Sequence, residues 1–279
     1  MSESTHTIHL IDVFAEQQLA GNQLAVVEGA GDLSDATMQA VALETNFSET
    51  TFITRTEPGR GAVRIFTPTA ELPFAGHPTI GTAWVLSGGQ GRVVLELGIG
   101  DVEVVFEDGI GRFEVPPVEF QGEADKSLAA QLLGLQEKDL AADLPVEFVQ
   151  IGPSFILIPV KDAQALSNIR IDEATFNSAL SDSRSIPSVF AFCPSEGTTD
   201  YSSRMFFNAG GLREDPATGS ANSAFAAYLR KHLGQLGAVV VDQGVQMGRP
   251  SHLYLEVGET LYVGGRVQPV VRGELALNN

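Results

Sequence analysis

The sequence lacks several features on which common classes of protein depend. Its 279 residues include a single cysteine, Cys193, so no disulfide bond can form within the chain. Basic residues are scarce, with 17 against 35 acidic ones, and the net charge of −18 argues against binding to nucleic acids or anionic membranes. There is no apolar run of membrane-spanning length and no N-terminal secretory pattern. These absences predict a cytoplasmic protein that binds neither nucleic acid nor membranes.

Motifs for metals and nucleotides are also missing. The five histidines are scattered and, together with the single cysteine, show no metal-ligand spacing. No predicted strand is followed by Gly-x-Gly-x-x-Gly, the phosphate-binding pattern of dinucleotide enzymes. The sequence therefore predicts no metal ion and no cofactor.

The most informative stretch that is present runs from Arg204 to Leu229. It opens in a β-type run, passes through a Gly-rich turn at Ala209-Gly210-Gly211, and reaches Asp215-Pro216-Ala217-Thr218-Gly219-Ser220 at the start of an apolar helix. The N-terminal end of a helix carries partial positive charge and free N–H groups, which suit a carboxylate or phosphate. Taken alone, the loop is better explained by an Asp or Ser helix cap with no ligand.

A second stretch, Arg64 to Trp84, resembles the first. Here Arg-Ile-Phe is followed by a loop and then by His77-Pro78-Thr79-Ile80-Gly81, and this alignment makes His77 equivalent to Asp215. Each copy then has a proline in the first turn of a helix, where the missing N–H costs nothing. One strand–loop–helix unit used twice predicts two related lobes whose helix ends share a cleft.

Many short strands and one apolar helix in each half predict an α+β fold. The helices around Trp84 and Phe225 are apolar almost all round, so each is expected inside a highly curved sheet. Pro116-Pro117-Val118 ends the strand pattern of the first half, which predicts lobes at residues 1–117 and 118–279. The last strand, at Leu275 to Leu277, is a candidate to return to the first lobe.

Five blocks of sequence together carry a resemblance to a known family. They are Asp12-Val13-Phe14 with Ala20-Gly21-Asn22, Ser48-Glu49-Thr50-Thr51-Phe52, Glu71-Leu72-Pro73-Phe74-Ala75-Gly76-His77-Pro78, Glu214-Asp215-Pro216-Ala217-Thr218-Gly219-Ser220-Ala221, and Gln243-Gly244-Val245 with Met247-Gly248-Arg249-Pro250-Ser251. In this order, and over nearly the whole chain, they resemble the phenazine-biosynthesis PhzF-like family, which has the diaminopimelate epimerase fold. The resemblance implies two pseudo-symmetric lobes, each a β-barrel-like sheet around a central helix, with the active site between them. It also implies a cofactor-independent isomerase and a homodimer.

The same resemblance implies roles for three catalytic residues. Glu49 is expected to be the general acid/base, a task that requires the raised pKa that burial in an apolar cleft can give a carboxyl group. His77 and Asp215 are expected to orient the substrate and assist proton transfer. Without the resemblance, Glu49 reads as a solvated residue at a helix–strand junction and His77 as a helix cap.

The implied substrate is a small-molecule carboxylate. Gly76, Gly219 and Ser220 are expected to offer backbone N–H groups to it, which would also stabilise negative charge as the adjacent C–H bond breaks. Asn22 is either a polar contact to the substrate or a turn residue.

Three alternatives define the limits of this interpretation. Related epimerases use one cysteine from each lobe, at positions that resemble Gly76 and Asp215 here, and the single cysteine excludes such two-thiol racemisation. A carboxylate-binding or regulatory protein could keep the cleft without catalysis. A hydrolase built from Ser220, His77 and Asp215 is disfavoured, because Ser220 lacks the Gly-x-Ser-x-Gly elbow.

Overall fold

The protein has a mixed α+β fold in which strands predominate. The computed structural model describes residues 3–179, 187–208 and 211–278. The strands in these ranges are β1 (Glu3–Val13), β2 (Asn22–Val27), β3 (Glu49–Glu57), β4 (Arg60–Phe66), β5 (Glu71–Leu72), β6 (Gly91–Leu97), β7 (Gly100–Glu107), β8 (Ile110–Glu114), β9 (Glu119–Ala124), β10 (Val146–Gln150), β11 (Ser154–Pro159), β12 (Pro187–Pro194), β13 (Tyr201–Asn208), β14 (Leu212–Asp215), β15 (Gly237–Gln243), β16 (Ser251–Val257), β17 (Leu261–Gly265) and β18 (Val267–Asn278).

The helices are fewer and mostly short. The α-helices are α1 (Asp35–Thr45), α2 (Gly76–Ser87), α3 (Lys126–Leu133), α4 (Ala163–Asn168), α5 (Glu173–Ala179) and α6 (Gly219–Tyr228). Short 3₁₀ turns lie at Ala30–Asp32, Glu137–Asp139 and Val245–Met247, and a π-helical turn, Leu229–Leu233, follows α6. Within the described ranges, no helix has the length and apolar character needed to cross a membrane.

The chain divides into two compact units. Unit 1 comprises Met1–Glu114 and Gly264–Asn279, and unit 2 comprises Val115–Val263. Strand β18 belongs to unit 1, where it pairs antiparallel with β1 along its whole length. The first unit is therefore built from both ends of the chain.

In unit 1 the sheet curves around α2. Strand β1 is antiparallel to β18 and β2, β2 is parallel to β3, and β4 is antiparallel to β3 and parallel to β6. Strands β6, β7 and β8 continue as an antiparallel meander. Helix α2 packs against strands from β18 through to β8, so the sheet must bend around it. Its first eight residues are buried, as its almost wholly apolar sequence predicts.

Unit 2 repeats this order of strands, with β10 to β16 corresponding to β1 to β7. The parallel pairs β11–β12 and β13–β15 correspond to β2–β3 and β4–β6. The antiparallel pair β12–β13 corresponds to β3–β4. All ten residues of α6 are buried, and the helix packs against β11 and β16. The predicted fold class, two related halves each with a curved sheet and a central helix, is confirmed.

The structure corrects the alignment of the two repeats. In the β4–β5 pair Phe66 lies opposite Glu71, and in the β13–β14 pair Phe206 lies opposite Glu214. The two glutamates are therefore equivalent. The second loop is three residues longer than the first, because Glu71 comes five residues after its phenylalanine and Glu214 comes eight residues after its own.

This register changes which site residues correspond to one another. Helix α2 begins at Gly76 and α6 begins at Gly219, each five residues after the equivalent glutamate. His77 is therefore equivalent to Ser220. The predicted equivalence of His77 and Asp215 is wrong, because Asp215 lies in a strand before its helix rather than inside it.

The equivalence of His77 and Asp215 was wrong because the first repeat has a proline both before its central helix, Pro73, and within it, Pro78. Pro216 was aligned with Pro78, which is the third residue of α2, whereas the register aligns it with Pro73. Pro216 precedes α6, so the prediction that it lies in the first helical turn is also wrong. Of the Gly-rich turn predicted in the second repeat, Ala209 and Gly210 lie outside the described residues.

An ion pair present in both repeats supports the corrected alignment. Arg64 binds Glu71 through two hydrogen bonds of 2.8 and 2.7 Å, and Arg204 binds Glu214 through two of 2.8 Å. Paired bonds of this kind fix the side-chain geometry as well as the charge. The same contact therefore ties the short strand before each central helix to its neighbour.

Candidate active site

Three predicted site residues of unit 1 lie side by side. Asn22 is the first residue of β2, Glu49 is the first residue of β3, and His77 is the second residue of α2. Nδ1 of His77 lies 3.5 Å from Oε2 of Glu49 and 3.4 Å from Nδ2 of Asn22. The side chains of His77 and Glu49 are only 5% and 16% exposed. We call these three residues the unit 1 cluster.

Local backbone geometry positions two members of this cluster. Helix α1 ends at Asn46, whose left-handed conformation (φ 51°) turns the chain into β3 just before Glu49. The turn before Asn22 contains Gly21 at φ 68°, where a Cβ would lie 2.4 Å from the carbonyl oxygen of Val13. Only glycine fits that turn without moving backbone.

His77 is neutral near pH 7. Burial lowers its pKa to about 3, because desolvation penalises the charged imidazolium. Its place in the first turn of α2 acts in the same direction, since a helix N-terminus disfavours positive charge. The contact with Glu49 is therefore one between a carboxyl group and a neutral ring, and not an ion pair.

A neutral imidazole links its own tautomer to the protonation of Glu49. Nδ2 of Asn22 only donates, so in its 3.4 Å hydrogen bond to His77 the acceptor is Nδ1, which has a single lone pair. Donation from Nδ1 to an ionised Glu49 requires the other tautomer, in which Nδ1 carries the hydrogen and the bond from Asn22 is absent. A protonated Glu49 can donate to Nδ1 only in place of Asn22. The arrangement suits a carboxyl group that gains and loses a proton in turn.

The predicted site residues of unit 2 lie at the start of α6. Asp215 is the last residue of β14 and is buried, and its Oδ2 accepts a 2.5 Å hydrogen bond from Oγ1 of Thr218. Thr218 is the N-cap residue of α6, and Gly219 and Ser220 are the first two residues of that helix. Unit 2 thus joins a carboxylate to a helix N-terminus.

Neither central helix is capped by a side chain. The N-cap of α2 is Ala75, which has no polar side chain, and the hydroxyl of Thr218 makes no capping bond to α6. The first N–H groups of a helix have no acceptor within the helix. The backbone at Gly76, Gly219 and Ser220 therefore offers donors of the kind that bind carboxylates.

Gln243, which was not predicted as a site residue, organises the unit 2 site. It is fully buried at the end of β15. Its Oε1 accepts from the N–H of Thr218 at 3.3 Å and from Nδ2 of Asn222 at 3.0 Å. Its Nε2 donates to the carbonyl oxygen of Asp215 at 2.9 Å and to Oγ1 of Thr218 at 3.0 Å. These contacts fix the amide orientation, because N–H groups only donate and carbonyl oxygens only accept.

The orientation of Gln243 determines the next hydrogen bond. Because Oγ1 of Thr218 accepts from Gln243, its own hydrogen points to Asp215. Gly244 follows with φ 74°, and a Cβ there would lie 2.6 Å from the carbonyl oxygen of Pro216. The sequence did contain a signal for Gln243, because this residue belongs to one of the five blocks that resemble the family. Its residue type alone, however, indicated no role.

No metal site or reactive thiol accompanies these residues. Within residues 3–179, 187–208 and 211–278, no group of three or more His, Cys, Asp or Glu side chains is placed to hold a metal ion. Burial raises the pKa of Cys193 to about 12, so this buried thiol stays protonated and is a poor nucleophile near pH 7.

Comparisons with known proteins agree with the fold described above. Residues 11–273 match the family model PhzC-PhzF, phenazine biosynthesis-like protein. A Pseudomonas aeruginosa protein named trans-2,3-dihydro-3-hydroxyanthranilate isomerase is 36% identical over 263 residues, which cover 89% of this chain and 89% of that protein. An uncharacterized isomerase of Mesorhizobium japonicum is 35% identical, covering 97% of this chain and 99% of the relative.

A solved structure shares the whole architecture. The Bacillus anthracis phenazine biosynthesis protein of the PhzF family superposes with a TM-score of 0.87, covering 98% of this chain and 99% of that one. At 23% identity this likeness concerns the fold alone.

Proposed function

The chain belongs to the phenazine biosynthesis-like family, and we propose that it moves a proton on a small, cyclic carboxylate with Glu49 as the general acid/base. The enzyme is an isomerase of the PhzF type, the class to which its curated relatives are assigned. The observation that carries the proposal is the contact between Glu49 and a neutral His77 in the unit 1 cluster.

The proposed reaction needs no cofactor. Ionised Glu49 takes a proton from a carbon of the substrate, and the electron pair of the C–H bond becomes part of a double bond conjugated with the carboxylate. Glu49 then returns the proton to a different carbon, so the substrate is isomerised with no net oxidation or reduction. His77 donates to Glu49 before the first step and accepts from it after that step.

The substrate carboxylate is proposed to bind backbone N–H groups at the start of α2, where Gly76 precedes His77. Such donors would stabilise the charge that spreads onto the carboxylate as the C–H bond breaks. Asn22 is proposed to hold His77. The substrate contacts predicted from the sequence for Asp215, Gly219 and Ser220, which lie in unit 2, stay predictions.

The name of the Pseudomonas aeruginosa relative supplies the first compound to test, trans-2,3-dihydro-3-hydroxyanthranilate. It has the properties that the proposal requires, namely a ring, a carboxylate and a removable proton on carbon. We propose a substrate of this class. The homodimer and the cytoplasmic location predicted from the sequence stay predictions.

Deuterium exchange followed by NMR in D₂O tests the proposal. The wild type is offered this compound and a panel of cyclic amino and hydroxy acids, and we expect deuterium uptake or isomerisation of at least one. Glu49→Gln keeps the size of the side chain but cannot accept the proton, so the rate should fall at least about a hundredfold while ligand binding persists. The control is Glu44→Gln, at an exposed position in the same unit, which should retain the wild-type rate.

The same experiment separates the proposal from its alternative. Full exchange in the Glu49→Gln variant would rule out Glu49 as the acid/base. If the wild type binds compounds, as seen by thermal protection, yet exchanges no proton in any of them, the protein is a carboxylate-binding protein without catalysis.

A further inference from the structure

A groove of about 600 Å³ lies beside the short strand β14 in unit 2, and we call it the unit 2 groove. Its volume is typical of sites that bind small molecules. Its floor is apolar: Ile169 and Phe206 are buried there, and Ile171 and Leu212 are half-buried. Covering the apolar surface that Ile171 and Leu212 leave in contact with water is favourable. The groove therefore suits the apolar body of a small organic molecule.

The charged side chains around the unit 2 groove leave it with a positive charge. Among the residues that the structure describes, the charged ones that line the groove are Arg170, Arg204 and Glu214. Arg204 and Glu214 neutralise each other through two hydrogen bonds of 2.8 Å, so the charge of Arg170 is left unbalanced. On a chain with a net charge of −18, an anion needs such a local positive charge in order to bind. The groove therefore suits an anionic ligand better than a neutral or cationic one.

Arg170 has a free pair of hydrogen-bond donors. Its Nη1 donates to the carbonyl oxygens of Ser167 and Ile169 at 2.9 and 2.7 Å, which holds the guanidinium group in place. Its Nε and Nη2 make no hydrogen bond or ion pair with any residue that the structure describes. Arg204 uses this same pair of nitrogens to bind both carboxylate oxygens of Glu214. Arg170 is therefore positioned to bind the carboxylate of a ligand in the same way.

The corresponding groove of unit 1, beside β5, differs in this respect. It measures about 510 Å³, and Arg64, Glu71 and Glu96 are among its lining residues. Arg64 binds Glu71 through Nε and Nη2, and it binds Asp35 through Nη1. Its paired donors are therefore already occupied, and Glu96 adds a negative charge to the lining. Of these two grooves, only the unit 2 groove suits an anion.

We propose that the unit 2 groove binds a small monocarboxylate with an apolar ring. The carboxylate accepts hydrogen bonds from Nε and Nη2 of Arg170, and the ring covers the apolar floor at Ile171 and Leu212. One unbalanced positive charge suits a ligand with one negative charge better than a ligand with two. This binding site shares no residue with the unit 1 cluster, so it is independent of the reaction assigned to Glu49.

NMR of the isoleucine methyl groups in the full chain tests the proposal. The probe is benzoate, and its matched control is benzamide, which has the same ring and nearly the same size but no charge. Benzoate should shift the methyl signal of Ile171, which is assigned by its absence from the Ile171→Val variant. Benzamide should bind there at least about tenfold more weakly, because it cannot form charge-assisted hydrogen bonds with Arg170. The measurement requires no catalysis, so its outcome is separate from that of the Glu49→Gln experiment.

Two arginine variants test whether Arg170 is responsible for the binding. Arg170→Gln should raise the Kd for benzoate at the Ile171 signal at least about tenfold, because glutamine has neither the charge nor the paired donors. The control is Arg213→Gln, at an exposed arginine of β14 that is not among the residues lining the groove, and its Kd should stay within about twofold of the wild type. The other isoleucine signals show whether each variant keeps its fold.

Three results would overturn the proposal. The first is an Ile171 signal that does not move at about 50 mM benzoate, well above the millimolar Kd expected of so small a ligand. This result includes the case in which benzoate binds elsewhere on the protein and shifts only other signals. The second is an equal response of the Ile171 signal to benzoate and to benzamide. The third is the same Kd for benzoate in Arg170→Gln as in the wild type.

Discussion

Burial keeps the ring of His77 neutral although it contacts the carboxyl group of Glu49. A histidine beside a carboxylate is usually expected to be charged, yet the desolvated ring of His77 stays neutral. A neutral ring can either donate or accept at Nδ1, which a protonated one cannot do. The value of His77 to the proposed reaction therefore depends on its burial as much as on its distance from Glu49.

A neutral buried histidine should make the protein sensitive to acid. The unfolded chain binds a proton at this residue below about pH 6.5, whereas folded His77 does not until pH falls to about 3. Stability should therefore fall as pH decreases between these two values. At pH 4.5 the loss from this one residue is expected to be about 2 to 3 kcal/mol.

Urea unfolding at pH 7 and pH 4.5 measures this loss. The wild type should lose about 2 to 3 kcal/mol more than His77→Asn over that interval, because the variant has no imidazole to protonate. Equal losses in the wild type and in His77→Asn would contradict a neutral, buried His77.

At the scale of elements, the short strands β5 and β14 set the geometry at the start of each central helix. Each is held to its neighbour by an arginine–glutamate pair, and each leads into the N-terminus of a central helix. In unit 2 the segment between strand and helix is also held by Gln243. The position of Asp215 thus depends on contacts made by a strand far along the chain.

Gly244 and Gly248 form a matched pair for testing how tightly that segment is packed. Both have a left-handed backbone, with φ of 74° and 72°. A Cβ on Gly244 would lie 2.4 Å from the carbonyl oxygen of Arg249 and 2.6 Å from that of Pro216, whereas one on Gly248 meets nothing within 4 Å. Gly248→Ala should therefore cost about 1 kcal/mol from backbone strain alone.

Gly244→Ala should cost about 2 to 4 kcal/mol, because backbone must move in addition to the strain. Chemical denaturation of both variants measures the difference. Equal stability of the two variants would show that the loop moves aside at little cost.

At the scale of the whole molecule, unit 1 is assembled from the two ends of the chain. Strand β18 supplies a register partner for every residue of β1, and its leucines at 275 and 277 pack against the apolar cluster beneath α1. Unit 2, in contrast, is one continuous segment. Unit 1 can therefore fold completely only when residues 264–279 are present.

Two fragments test this assembly. Residues 1–114 alone should fail to fold, because β1 would lose its partner along its full length and leave an open apolar edge. The same residues joined by a Gly/Ser linker to residues 264–279 should fold cooperatively. Circular dichroism and thermal unfolding distinguish the two, and cooperative unfolding of the first fragment would show that β18 is dispensable.

Much of the fold followed from local properties of the sequence. The apolar helices around Trp84 and Phe225 required burial on all sides, and short strands in each half supplied the sheets to cover them. The duplication itself was visible as a repeated Arg-x-Phe followed by a helix start. Its alignment was wrong because β5 and β14 are too short to show periodicity, so a proline match outweighed the strand register.

The sequence by itself determined the residue types available for chemistry: one cysteine, scattered histidines, and Glu49, His77 and Asp215 within recognisable motifs. Only the tertiary structure decided that His77 is neutral, that it contacts Glu49, and that Gln243 directs the hydrogen bond from Thr218 to Asp215. The reason is physical. A motif is local along the chain, whereas burial, strand register and hydrogen-bond direction depend on residues far apart in sequence.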